Sequence, residues 1–193
     1  MLSGLKIAFA ITGSHCTIAE VLPVMKVLVD DGAIITPIFS AAVRDTDTRY
    51  GTAAALRREV VAITGSEPLT TMVEVEPIGP QKLFDLVLVA PCTGNTLAKL
   101  ALGITDSCVT LACKAQLRNN RPVVIAISTN DGLGANARNL GILLNKKNIY
   151  FVPFGQDMPK TKQTSLVAKL SLIPETIVEA MEHRQLQPVL IAF

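Results

Sequence analysis

The chain has 193 residues, 49% of them apolar, and a formal charge of +2. That length suits one domain with a large core, and no uncharged apolar run is long enough to span a bilayer. A near-neutral charge with 4% aromatic residues argues against a nucleic-acid binder built on a basic face or on stacking rings.

We therefore expect a single domain over residues 1–193, with neither nucleic acid nor membrane as partner. Cys16, Cys92, Cys108 and Cys113 lack CxxC spacing, so no metal site or disulfide framework is expected. Reduced thiols and a cytoplasmic location follow as the default.

Residues 6–12 are a short apolar run closed by Gly13, which predicts a first strand rather than a signal peptide. Ile18, Val21, Leu22, Met25, Leu28 and Val29 then recur at helical spacing up to Gly32. Pro23 falls inside that helix and is expected to bend it. Residues 33–40 predict a second strand, and VRDTDTRYG a loop. Thr52 caps a helix to about Ile63, ended by Gly65. In the proline-rich stretch 67–82, TMVEVE alternates like an edge strand. Residues 83–89 predict a buried strand, followed by helices over 97–102 and 108–117, the second capped by Asp106 or Ser107. A strand over 122–128, a helix over 135–144 and a strand over 149–152 come next. GQDMPKTKQTS reads as a long polar loop, and Pro174 opens a last helix running to about His183.

Strands alternating with helices predict an α/β fold: a Rossmann-like, doubly wound parallel sheet with helices on both faces. The strands are continuous apolar runs, as burial on both faces requires. Ligands of such sheets bind at the carboxyl ends of the strands, near the switch in strand order. That rule selects four loops. In ITGSHCT, Gly13 allows a tight turn, Ser14 and Thr17 offer hydroxyls, and the next helix opens amides that attract an anion. Without GxGxxG or a Walker loop, one phosphate suits it better than a dinucleotide pyrophosphate; the same residues also make an ordinary capped turn. Ser40 closes the second strand, where a hydroxyl can meet a ribityl or ribose group. In APCTGNT, Thr93, Asn95 and Thr96 can cap a helix or donate to phosphate and ring oxygens, while Cys92 is either a nucleophile or, more often at such positions, a small buried thiol. ISTND places Ser128, Thr129, Asn130 and Asp131 at another strand end, where Asn130 or Asp131 could bind a polar ring edge or simply form the turn.

Three charged or titratable groups complete the candidates. His15, beside the first loop, is a candidate acid–base group or a merely solvated ring. Arg44 and Arg49 lie on the ligand side after the second strand and could fork a carboxylate, or simply keep the loop soluble. Arg118 and Arg121 belong to the opposite end.

Pro91, Cys92, Thr93, Thr96, Lys99, Ala101, Gly103 and Asp106, with ITGS near the start and NNRPVVIAIST further on, resemble the flavoprotein superfamily of cysteine decarboxylases and flavin prenyltransferases. That resemblance implies a flavoprotein fold, FMN as cofactor and assembly as a homo-oligomer, a trimer or a multiple of it. It also implies FMN contacts from Gly13, Ser14, Ser40, Pro91, Cys92, Thr93, Asn95, Thr96, Ser128 and Thr129. DTDTRYG stands where the decarboxylases carry a catalytic histidine, and of their Met-Asn element only Asn130 carries over; both departures argue against decarboxylation and prenyl transfer.

Within the superfamily, DTRYG, RNNRPVVIAISTNDGLG, PFGQDMP, SLVAKLSLIPETI and HRQLQPVLI are similar to the B-subunit family of bacterial dipicolinate synthases, over nearly the whole chain. This implies an oxidoreductase acting on a CH–CH bond with a dehydrogenase-like A subunit that brings NAD(P). The reaction oxidises dihydrodipicolinate to dipicolinate in the mother-cell cytoplasm of a sporulating bacterium. His15 and Asn130 would then be catalytic, and Arg44 and Arg49 would hold the dicarboxylate. The alternatives are a non-catalytic partner that stabilises the A subunit or, less favoured, a flavin-dependent decarboxylase.

Overall fold

A computed structural model describes residues 2–192. Its frame is a sheet of parallel strands, β1 (Lys6–Ile11), β2 (Ile34–Phe39), β3 (Leu86–Cys92), β4 (Val123–Thr129) and β5 (Ile149–Phe151), extended by short β6 (Phe154–Gly155) and β7 (Leu166–Ala168). The order is β2-β1-β3-β4-β7-β6, with β5 also on β4. Every residue of β3, and six of the seven in β4, is buried, because helices cover both faces of a sheet made this way. Helices α1 (His15–Asp30), α2 (Ala41–Asp45), α3 (Ala53–Thr64), α4 (Met72–Val75), α5 (Ile78–Gln81), α6 (Gly94–Leu102), α7 (Cys108–Arg118), α8 (Ala137–Leu144) and α9 (Ile173–Met181) complete the chain. The helix α1 runs unbroken through Pro23.

Strand order reverses between β1 and β3: the chain moves outward from β1 to β2, then returns to pair β3 on the other side of β1. That is the switch point at which the carboxyl ends leave a crevice. The strand β3 runs three residues beyond the expected apolar stretch, through Pro91 to Cys92, and its register on β4 shifts between Val89 and Cys92. The irregularity re-aims the strand end just where the loop begins.

TMVEVE is not an edge strand. Thr71 accepts from the Glu74 amide while the Glu74 carboxylate accepts from the amides of Thr70 and Thr71. That capping box satisfies the orphan donors of a helix start, and Val75 alone of α4 is buried, so the alternation answers to no sheet face.

The outer edge of β4 is divided. Its first half, Val123–Ile125, pairs β5 in parallel, while Ser128 and Thr129 pair Val167 and Leu166 of β7 antiparallel. The hairpin β6–β7 therefore carries the segment 156–165 past the carboxyl end of the sheet. That segment is tied down: Thr164 Oγ1 donates to the Asn130 carbonyl (2.6 Å), the Leu133 amide to the Thr164 carbonyl (2.9 Å), and Gln156 Nε2 to the Gln163 carbonyl (2.7 Å).

Candidate functional site

The turns after β1 and β3 are bolted together by one buried hydroxyl. Thr12 Oγ1 donates to the Pro91 carbonyl (2.6 Å) and accepts from the Thr93 amide (3.0 Å). The Ser40 amide donates to the Ile11 carbonyl (3.1 Å), so the ends of β1, β2 and β3 meet within a few residues. Gly13 has no left-handed φ. Its use is close approach: a Cβ there would stand 3.1 Å from Ala42 Cβ, at the start of α2.

Six helices among the described residues have Ser or Thr at the N-cap. Thr52, Thr71, Thr93 and Ser107 each accept a hydrogen bond from an amide of the first turn. Ser14 and Ser40, at the carboxyl ends of β1 and β2, do not. The Ser14 hydroxyl turns instead to Ser128 Oγ (2.9 Å) and Thr17 Oγ1 (3.1 Å), and Thr17 closes the triangle on Ser128 (2.8 Å). Ser40 Oγ is buried without a partner among the described residues. The first-turn amides of α1 and α2 thus have no side-chain cap, each under a hydroxyl with spare capacity. An anion is the group that satisfies such donors.

The opposite wall is the β3–α6 turn. Thr93 caps α6 through the Thr96 amide (3.3 Å), which for such a cap stabilises the helix by about 1 kcal/mol. Gly94 faces the β4–α8 loop so closely that a Cβ would lie 2.6 Å from both Asn136 Nδ2 and Thr129 Oγ1. Behind it, the Asp131 carboxylate accepts from Thr129 Oγ1 and from Asn136 Nδ2 (2.9 Å to each oxygen). Between these walls lies one cavity of about 770 Å³, lined by Gly13, Ser14, Thr93, Ser128, Thr129 and Asn130 together with the segment 157–171. Its size is within the range of small-ligand sites.

A family model described as flavoprotein matches residues 1–173. The chain belongs to the flavoprotein family. It is 48% identical over 190 residues to the B subunit of dipicolinate synthase from Bacillus subtilis (strain 168), covering 98% of this chain and 95% of that one. The crystal structure of the dipicolinate synthase B subunit from Bacillus halodurans C matches with a TM-score of 0.91 at 46% identity, over 99% of this chain and 98% of the other. The FMN-dependent cysteine decarboxylase SpaF matches with a TM-score of 0.65 at 22% identity, over 93% and 99% of the two chains, a likeness of fold.

Against that family background the candidate residues fall into three groups. Gly13, Ser14, Thr93, Ser128, Thr129 and Asn130 share the cavity wall. Ser40, Pro91, Cys92 and Thr96 do not line it and are buried or half-buried, and Asn95 is exposed on α6. Desolvation pushes the fully buried Cys92 thiol far up from its ordinary value, so it stays neutral and unreactive near pH 7.

His15, Arg44 and Arg49 lie elsewhere. His15 lines a separate, smaller groove with Val43, Thr48 and Tyr50. Arg44 forks Asp45 (2.6 Å from Nε and from Nη2) and donates to the Thr70 carbonyl (3.0 Å), and the Asp45 hydrogen bonds hold its pKa up. Arg49 donates to Tyr50 Oη (2.8 Å) and stacks 4.9 Å from that ring's centre.

The segment after β6 is what sequence reasoning missed. It brings Asp157, Lys162, Ser165 and Lys169 to the cavity. The lysine spacing in PKTKQTSLVAK was visible, but nothing in it foretold the antiparallel return along β4.

Proposed function

We propose that this flavoprotein works as the B subunit of a dipicolinate synthase, oxidising dihydrodipicolinate to dipicolinate with a nicotinamide-dependent A subunit in the mother-cell cytoplasm during sporulation. The names of its relatives at 46–48% identity support the reading, and the family supports FMN as the cofactor. The observation that carries the cofactor assignment is the pair of N-cap serines that do not cap, Ser14 and Ser40, the second with a buried orphan oxygen. Four other Ser/Thr N-caps in the same chain do cap, so the two uncapped helix starts stand out as the places where a bound anion would be satisfied.

In this reading the open amides of α1 and α2, with Ser14 and Ser40, would hold the FMN phosphate, where the helix dipoles favour negative charge. Gly13 lets the backbone come close. The turn Pro91–Thr96 would meet the flavin ring, and Ser128 and Thr129 would offer hydroxyls to its edge. A bound flavin supplies a two-electron acceptor. The substrate loses a hydride and a proton, and the gain of an aromatic ring favours the products. Thr12 keeps both turns in place, Asn130 on the cavity rim orients the substrate by its amide, and the segment 157–169 shields the cavity from water. His15 faces the neighbouring groove, and we assign it no proton step. NAD(P) enters with the A subunit; the assembly is a homo-oligomer of trimers or their multiples.

The placement of His15 and the neutrality of Cys92 favour a second reading, in which the chain keeps the flavoprotein fold and stabilises the A subunit without chemistry of its own. One experiment separates them: purify the chain alone and with its A-subunit partner, and follow flavin absorption and dipicolinate formation together. Flavin bleached anaerobically by dihydrodipicolinate in the B chain alone supports the first reading. A colourless or unresponsive chain that still raises its partner's activity supports the second.

A further inference from the structure

Two lysines on the segment that returns along β4 face the cavity, and neither is engaged elsewhere in a strong pair. Lys162 Nζ is 3.9 Å from Asp157 Oδ2, at the limit of an ion pair, with the lysine side chain half-exposed; contacts of that kind hold a side chain weakly. Lys169 makes no ion pair among the described residues. Both backbones are fixed. The Lys162 amide donates to the Met158 carbonyl (2.7 Å) and its carbonyl accepts from the Ser165 amide (3.1 Å), while the Lys169 amide donates to the Pro153 carbonyl (2.8 Å). The cations therefore stand on a rigid hairpin, seven residues apart in sequence, either side of β7. Both residues line a cavity that also carries hydroxyl and amide groups.

Neither acid on the same cavity makes a close ion pair with them. Glu20 is exposed on α1. Asp157 turns one carboxylate oxygen toward Lys162 and buries the other without a partner among the described residues. It steers Lys162 more than it neutralises it. The arginines that sequence alone offered for this task are off the cavity and engaged, Arg44 by Asp45 and Arg49 by Tyr50.

We infer that Lys162 and Lys169 are the carboxylate ligands of this site, one for each acid group of a small planar dicarboxylate. The inference rests on the proposed dipicolinate synthase reading and adds to it the groups that select the substrate. The hairpin β6–β7 is then the element that gives this flavoprotein its preference for a doubly charged acid. A monocarboxylate of the same ring uses only one of the two cations.

The test uses the full chain loaded with FMN and equilibrium dialysis of pyridine-2,6-dicarboxylate and pyridine-2-carboxylate. A lost charge-assisted hydrogen bond weakens binding about tenfold to a hundredfold. Lys162→Met and Lys169→Met should each weaken the dicarboxylate by that much, and the monocarboxylate should be sensitive to only one of them. Lys→Arg at either position should restore most of the affinity. FMN affinity should stay within about twofold throughout, since that site's contacts are elsewhere on the wall. The unaltered protein provides a check that needs no variant: dicarboxylate affinity should fall with added salt, and more steeply than that of the monocarboxylate. Variants that bind the dicarboxylate like the parent overturn the inference and leave the functional reading standing. A parent that binds FMN but no dicarboxylate overturns the functional reading, and this inference with it.

Discussion

Thr12→Val removes the bolt between the β1 and β3 turns while nearly preserving the side chain's shape. Thr12 is 1% exposed and makes two hydrogen bonds, to the Pro91 carbonyl and from the Thr93 amide. Valine leaves both partners unpaired, the carbonyl in a fully buried strand end. A buried group so stranded costs roughly 1–3 kcal/mol, and the half-buried amide falls at the low end of that range. The sum, about 2–4 kcal/mol, is below the total stability of an ordinary domain, so the variant should fold. In a chain of this size it should melt about 5–15 °C lower. Thr12→Ser keeps the hydroxyl and should cost only about 1 kcal/mol, for the lost methyl. Urea denaturation gives the free energies, and flavin titration reads the site, where Thr12→Val should weaken FMN binding at least tenfold. If valine and serine behave alike, the hydroxyl does not hold the turns together and the reasoning fails.

Gly94→Ala should destabilise by about 1–3 kcal/mol through overpacking and disturb flavin binding, since its Cβ would lie 2.6 Å from Thr129 Oγ1 and Asn136 Nδ2; a variant with parent stability and affinity would contradict this. Of the four cysteines only Cys16 is exposed, so one thiol should react rapidly with an aromatic disulfide in native protein and four in denaturant. Burial lifts the Cys113 thiol from 9.0 to about 12, and Cys92 in the same direction. A raised thiol pKa favours the neutral folded form, so each thiol's share of stability is full below about pH 9. It falls by roughly 1.4 kcal/mol per pH unit as pH climbs toward the folded value, and urea midpoints measured across that range read it. Gln185 pairs its side-chain amide with the Phe151 N–H and C=O, both at 2.7 Å, closing the free edge of β5. Gln185→Ala should lower stability by about 1–3 kcal/mol and raise self-association through the opened edge, seen by light scattering.

The parallel frame was legible because its signal is long and apolar. LVLVAPC and VVIAIST are buried almost throughout, and helices of the frame carry plain caps and stops such as Thr52, Ser107 and Gly65. The turns that line the cavity were legible for a related reason, since Gly, Ser and Thr cluster at strand ends. The hairpin was not. Its strands are two and three residues long, too short for any period, and its placement depends on the free half of the β4 edge, a tertiary fact. For Arg44 and Arg49 the sequence shows a charge without its partner, and Asp45 and Tyr50, each the next residue, engage them. His15 is adjacent to Ser14 in sequence, but it opens α1 and lines the neighbouring groove.

The central claim is that the strand-end turns of this flavoprotein enclose one mononucleotide site. A crystal structure of the chain grown with FMN tests it most directly. Phosphate density is expected against the first turns of α1 and α2, within hydrogen-bonding reach of Ser14 and Ser40, with a ring lying along Pro91–Thr96. Flavin density away from those residues, or both serines unengaged beside a bound flavin, would contradict it.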